Sequence, residues 1–336
     1  MLKELQRAQE ISAAGLKALP DEASSSPLVL RGAVADWPFV QEARRSDEAA
    51  VAYLTRFYNG RPVSVLVAAP SEQGRFFYRP DSKSMNFETA SALLPDVLSS
   101  LLDERESDGP AAIAMQAISA PDSLPGLERD NPNPIVPAGT QARVWIGNAV
   151  TVAPHFDVAE NIACVVAGRR RFILFPPDQT ANLYPGPMDV TPANVPISMV
   201  AMDDSELDRF PRYRDALAAA LVADLEPGDA IYIPYLWWHG VQSLGGFNVL
   251  VNYWFNREAA ADRYPFVLLL RLMLEAYRDL RPEHRSAWRA LYDHYVFQAG
   301  GNPMESLAAG HHETPKPVDT AAITRLRQLL GELLDR

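Results

Sequence analysis

The alternation of apolar and polar positions divides the chain into three stretches. In the first, residues 2–19 carry apolar side chains at helical spacing and predict an amphipathic helix, ended by Pro20 and the serines at 24–26. Residues 28–30 predict a short strand that stops at Gly32. Residues 48–58 read as a helix with Gly60 as its stop, and 63–67 as a strand by their β-branched content. Residues 86–102 predict a helix with Asn86 as its N-cap, kinked or split at Pro95. Residues 112–118 predict another strand. Residues 121–137 hold five prolines and two Asn-Pro pairs, so a loop is expected there, either a lid over a site or a surface excursion.

From residue 141 to 257 the pattern changes. Short apolar runs at 142–146, 161–166, 170–175, 230–233 and 247–254 alternate with turn signals, and Glu226-Pro-Gly-Asp229 places Pro and Gly as a type II turn wants them. A helix is expected around 212–221. Many short strands without βαβ alternation predict an antiparallel barrel or double-sheet jelly roll. Beyond Arg257 the pattern turns helical, at 264–280, 283–297 and 320–334. The expected division is therefore 1–140 framing a barrel, 141–257 forming it, and 258–336 as a C-terminal helical region. The run LLLRLMLEAY is apolar nearly all round, which predicts burial on several sides and a homodimer through these helices, or else a helix packed on its own barrel.

Composition narrows the partners. The 336 residues carry 31 Lys and Arg against 42 Asp and Glu, a net charge of −11, which argues against nucleic acid and anionic membrane as default partners. No stretch approaches a membrane span and no secretory signal stands at the start, so the chain reads as soluble and cytoplasmic. A single cysteine, Cys164, excludes internal disulfides and thiolate-only metal sites.

With thiolates excluded, the six histidines become the candidates for metal chemistry. His155-Phe-Asp157 places an imidazole and a carboxylate two residues apart, on one face if the segment is a strand. His239, after the apolar run 233–238, is the candidate third ligand. Two histidines and a carboxylate on one face of an octahedron leave three positions open, the arrangement of Fe(II) oxygenases. HxD alone is a common chance pattern, and its weight here comes from its setting among strands. His284 and His294 fall on expected helices, and His311-His312 in an expected loop. Arg169-Arg-Arg171 opens the strand at 170–175, with Arg170 on the face opposite its neighbours. An inward arginine there would clamp a carboxylate, whereas three outward ones would be solvated edge charges. Trp145, Trp237, Trp238 and Tyr78 are candidates for a pocket or for core.

The stretches TVAPHFDVAENIACVVAGRRRFILFPPDQ and EPGDAIYIPYLWWHGVQSLGGFNVLVNYW, with PLVLRGAVADWP nearer the start, resemble the cupin-like JmjC family of Fe(II)- and 2-oxoglutarate-dependent oxygenases, close to its asparaginyl hydroxylases. The resemblance is dense from Trp145 to Trp254. It implies a double-stranded β-helix, mainly β with flanking helices. It implies that His155, Asp157 and His239 hold Fe(II), that Arg170 stands where the family has a lysine for the distal carboxylate of 2-oxoglutarate, and that Asn161 and Asn252 lie near this cosubstrate. The family often has Thr or Ser three residues before the first histidine; Val152 stands there and Thr151 one earlier, so Thr151 is carried as a cosubstrate contact. The implied activity is hydroxylation of a protein, peptide or small molecule by O2, with 2-oxoglutarate converted to succinate. A second reading of the same residues is a cupin that binds metal and senses 2-oxoglutarate or a related acid without oxidising anything.

Overall fold

The computed structural model of the protein describes residues 5–20, 25–80, 83–105, 107–188, 190–192, 195–202, 206–257, 266–303 and 328. Along the chain, its strands and helices are β1 (Gln6–Arg7), β2 (Gln9–Ser12), β3 (Leu28–Arg31), α1 (Pro38–Arg45), α2 (Asp47–Thr55), β4 (Val63–Ala68), β5 (Arg75–Phe76), β6 (Phe87–Ala92), α3 (Leu94–Glu104), β7 (Ala112–Ser119), α4 (Ala120–Ser123), α5 (Leu127–Asp130), β8 (Ala142–Gly147), β9 (Thr151–Phe156), β10 (Glu160–Ala167), β11 (Arg170–Phe175), α6 (Tyr213–Ala218), β12 (Leu221–Leu225), β13 (Ala230–Ile233), β14 (Trp238–Ser243), β15 (Asn248–Phe255), α7 (Phe266–Tyr277) and α8 (Pro282–Tyr295). Two compact units result, Met1–Val267 and Leu268–Arg336.

In the first unit, β1-β12-β11-β14-β9-β5 form one sheet and β2-β3-β13-β10-β15-β8-β7-β4-β6 the other. The two sheets make the double-stranded β-helix of a cupin-like domain. The strand β10 shows why its sequence is apolar without alternation: both faces are buried. Ala163 and Val165 pack inward with Phe172 and Leu174 of β11, Val241 of β14 and Leu250 of β15. Ile162, Cys164 and Val166 pack outward against Phe39 and Val40 of α1, Leu54 of α2 and Leu98 of α3. At about 1.5–3 kcal/mol per buried large apolar side chain, these two layers are the main stabilising term. On the far side of the six-stranded sheet, Ile173, Phe175 and Trp238 are covered by Tyr213 and Leu217 of α6.

Two expected helices are strands instead. Residues 2–19 hold β1, paired in parallel with β12, and β2, paired in parallel with β3. Edge pairing outweighs helix propensity here, and Arg31 pins β2 by donating to both carboxylate oxygens of Glu10. Residues 86–102 divide at Leu93: β6 pairs with β4, and only then does α3 begin, with Pro95 in its first turn, where its missing N–H costs nothing. Asn86 is not an N-cap. Its carboxamide accepts from Phe77 N and donates to the Arg75 carbonyl and Glu72.

The proline-rich stretch 121–137 is neither lid nor loose excursion. It holds parts of two short helices, and its Asn131 is buried, accepting from Phe39 N and donating to the Tyr53 hydroxyl. Strands β9, β12 and β14 had no strand signal of their own. In the second unit, α7 and α8 have no buried residue; the Tyr277 and Tyr292 hydroxyls lie 2.7 Å apart, and Leu268, Leu270, Leu274, Trp288 and Leu291 are exposed. The expected helix at 320–334 and His311-His312 lie outside the described residues, apart from residue 328. Among the described residues, no helix is long and apolar enough to cross a membrane.

The Glu226–Asp229 turn ties the sheets to the N-terminal strands. Gly228 sits at φ +102°, open only to glycine without strain. Asp229 accepts from Gly32 N, Glu226 N and Arg31 Nη1, the last at 2.5 Å. Asp229→Ala leaves the Arg31 guanidinium and two backbone N–H groups without this acceptor. It is expected to cost about 2–4 kcal/mol, read as a lower urea midpoint with an unchanged slope.

Candidate metal centre

Three side chains converge between the sheets. His155 is near the end of β9 and pairs directly with His239 of β14. Directly opposed residues of an antiparallel pair share a face, so the two imidazoles meet with ring centroids 4.4 Å apart. Asp157 follows β9 immediately, and its Oδ2 lies 3.6 Å from His239 Nε2. Ligand atoms of all three fall within 4.8 Å of one another. Among the described residues this is the one such group of three.

Each histidine is oriented by its own strand. His155 Nδ1 lies 3.0 Å from the Ala153 carbonyl, and His239 Nδ1 lies 3.1 Å from the Trp237 carbonyl. A carbonyl can only accept, so both Nδ1 atoms carry a proton, which leaves Nε2 as the atom of each ring available to a metal. Burial pushes the His239 imidazole down to about 4, reinforced by neighbouring His155 and opposed by Asp157. The ring is therefore neutral at pH 7, the form a metal requires. Two imidazole nitrogens and a carboxylate, with no thiolate, suit an open octahedral site for a divalent transition metal.

Asp157 is held by a chain of donors. Asn161 Nδ2 and Trp254 Nε1 donate to its Oδ2 at 3.1 and 2.8 Å. Asn161 Oδ1 in turn accepts from Asn252 Nδ2 at 3.2 Å, and Asn252 Oδ1 accepts from Trp145 Nε1 at 2.7 Å. Asn161 and Asn252, which the family resemblance places near the cosubstrate, thus form a relay behind the carboxylate. Trp254 had no signal in the sequence beyond its place on an apolar strand, Trp145 lines the cavity and packs against the inner core cluster, and Trp237 packs against that cluster. Trp238 and Tyr78 are buried in core clusters.

The three arginines separate as strand alternation requires. Arg171 faces out and pairs with Asp224. Arg169 precedes β11 and is exposed. Arg170 faces in on the same side as Phe172 and is 93% buried as its 7% exposure shows. Burial pulls its guanidinium down to about 10, so it remains a cation at neutral pH. Its Nε has no hydrogen-bond partner. A buried, charged, unpartnered guanidinium is costly unless something anionic meets it. The cavity it lines measures about 430 Å³ and also holds His155, Asp157 and His239.

Thr151 is a correction. Between the rungs His155–His239 and Val152–Val241, three residues of β9 advance against two of β14. This bulge at Ala153-Pro154 reverses the facing side, a site where a strand proline is tolerated. Val152 consequently lines the cavity, while Thr151 pairs with Gln242 and Arg75 and does not.

Fold and site together define a cupin-type barrel with a candidate metal centre between its sheets. The comparison with known families agrees: the chain matches the cupin-like domain over residues 22–261 and belongs to that family, and its relatives include proteins named as JmjC-type enzymes. HSPB1-associated protein 1 of Bos taurus is 28% identical over 203 residues, 56% of this chain and 40% of the bovine protein. The bifunctional peptidase and (3S)-lysyl hydroxylase JMJD7 of Homo sapiens is 26% identical over 283 residues, 74% of this chain and 83% of that protein. The lysine-specific demethylase JMJ31 of Arabidopsis thaliana is 31% identical over 157 residues, 46% of this chain and 26% of that protein. The chain thus spans less than half the length of the bovine and plant relatives.

Trp254→Phe and Asn161→Ala each remove one donor from Asp157 while leaving all three candidate ligands. Each is expected to weaken Mn(II) or Zn(II) binding about 10–100-fold in calorimetric titration. Wild-type affinity in both would show that the carboxylate needs no such support.

Proposed function

We propose that the protein is an Fe(II)- and 2-oxoglutarate-dependent oxygenase that hydroxylates a protein, peptide or small-molecule substrate. The observation that carries this reading is the unpartnered Arg170 guanidinium in the same cavity as the His155, Asp157 and His239 group. Fe(II) bound by these three would supply redox chemistry that couples decarboxylation of 2-oxoglutarate to succinate with insertion of one oxygen atom of O2 into a substrate C–H bond. The names of the human and plant relatives, a lysyl hydroxylase and a lysine demethylase, support oxidative chemistry of this type.

The residues of the chain then have separable tasks. Arg170 forks onto the distal carboxylate of the cosubstrate and sets its depth, the reach of an arginine compensating for its bulk relative to lysine. Asn161 and Trp254 hold the Asp157 carboxylate fixed in direction, and Asn252 and Trp145 hold Asn161. Phe172, Val241, Leu250 and Val152 form an apolar wall that keeps water from the reacting centre. The exposed apolar positions of α7 and α8 are the surface through which a second copy of the chain docks.

Asp157→Ala should abolish succinate formation from 2-oxoglutarate in the iron-loaded protein; undiminished succinate would contradict the assignment. Arg170→Ala should raise KM for 2-oxoglutarate about 100-fold or more, and Arg170→Lys much less. A wild-type protein that binds 2-oxoglutarate but forms no succinate with any substrate would be a sensor rather than an oxygenase. Light scattering at micromolar concentration should give a dimer for wild type and a monomer for the Leu270→Glu, Leu274→Glu double variant. A monomeric wild type would remove the docking proposal.

A further inference from the structure

The walls of the cavity carry information about what enters it. Among the described residues that line it, Asp157 is the one acid, and the proposed centre uses it. The one base besides the two histidines is Arg170, which the cosubstrate would use. The remaining lining is uncharged, and its two polar groups nearest the strands β4 and β7 are Ser64 and Gln116. No side-chain hydrogen bond holds either one, although both line the space. Ser64 is exposed on β4, at the mouth, with Leu66 beside it.

Gln116 is presented by a local distortion. The pairing of β7 with β8 shifts between Met115 and Ile118, and Ala117 there adopts φ +50°, the left-handed region that alanine disfavours. A bulge of this kind re-aims a side chain at the cost of a ladder rung. Both Gln116 and Ala117 consequently line the cavity.

We propose that this cavity selects an uncharged substrate group, with the Gln116 carboxamide and the Ser64 hydroxyl as its hydrogen-bonding partners at the mouth. The proposal rests on the oxygenase reading for the word substrate, but the selectivity belongs to the cavity itself. An ammonium or guanidinium would find, among the described residues that line the space, no acid but Asp157, which the proposed centre uses.

The test compares N-propylurea with n-propylguanidinium, which share shape and differ in charge. The full-length Zn(II)-loaded protein is titrated with each, and binding is read from the fluorescence of Trp145 and Trp254 in the cavity, with a Trp145→Phe variant assigning the signal. The urea is expected to bind at least roughly tenfold more tightly. Gln116→Glu, which supplies the missing counter-charge, is expected to shrink or reverse that ratio, and Gln116→Leu to weaken the urea several-fold without strengthening the guanidinium. Equal or tighter binding of the guanidinium to wild type would overturn the proposal, as would a ratio unmoved by Gln116→Glu or binding of neither probe. Succinate formation is measured separately on the iron-loaded protein, so failure of the oxygenase reading is distinguishable from failure of this one.

Discussion

The pairing of β9 with β14 is the constraint on which the site depends. One rung sets His155 against His239, and one bulge next to it decides which residues of β9 look inward. A slip of one residue in β9 would turn His155 away from His239 and bring Phe156 into the cavity. Several features protect that register. Trp238, the neighbour of His239, is anchored on the outer side by donating to the Thr180 hydroxyl. A Cβ on Gly240 would meet the Met202 sulfur and force that side chain to shift. Pro154 in the bulge cannot donate, and its carbonyl accepts from Ser198 N.

Around this rung the molecule separates charge from solvent in an ordered way. Outside the barrel, Arg31 and Arg171 meet carboxylates at the surface, where such pairs are individually weak. Inside, the Asp157 carboxylate is satisfied by a relay of amides and indoles, whereas Arg170 is left unsatisfied. The asymmetry is informative. A protein that only needed a stable core would replace Arg170 by an apolar residue, since a lone buried cation is a net cost. Retaining it makes sense if an anion completes the site, and the same logic makes the neutral remainder of the cavity a filter on charge.

Much of this was legible in the sequence. Strands buried on both faces, such as β10 and β15, announce themselves as unbroken apolar runs, and His155, Asp157 and His239 stand in a pattern with few chemical uses. Alternation on β11 set Arg170 on the face opposite Arg169 and Arg171, but which of the two faces looks inward was not in the local pattern. The failures share a cause: non-local pairing decided what local pattern could not. Residues 6–12 look helical until β3 and β12 offer them edges, and residues 87–92 belong to a sheet through β4. The bulge at Ala153-Pro154, which puts Val152 rather than Thr151 in the cavity lining, is one that no spacing rule reveals, and Trp254 reads as core until Asp157 is seen beneath its N–H. The Gln116 bulge was equally silent, because alanine at φ +50° leaves no trace in composition.

The central claim is that one cavity brings a metal held by His155, Asp157 and His239 together with a carboxylate held by Arg170. The most direct measurement is a crystal structure of the full chain grown anaerobically with Fe(II) and 2-oxoglutarate, using anomalous scattering at the iron edge. The account predicts a single iron peak within bonding distance of the two Nε2 atoms and an Asp157 oxygen, with the distal carboxylate of 2-oxoglutarate on the Arg170 guanidinium. Iron elsewhere, or a 2-oxoglutarate carboxylate that leaves Arg170 unpaired, would contradict it.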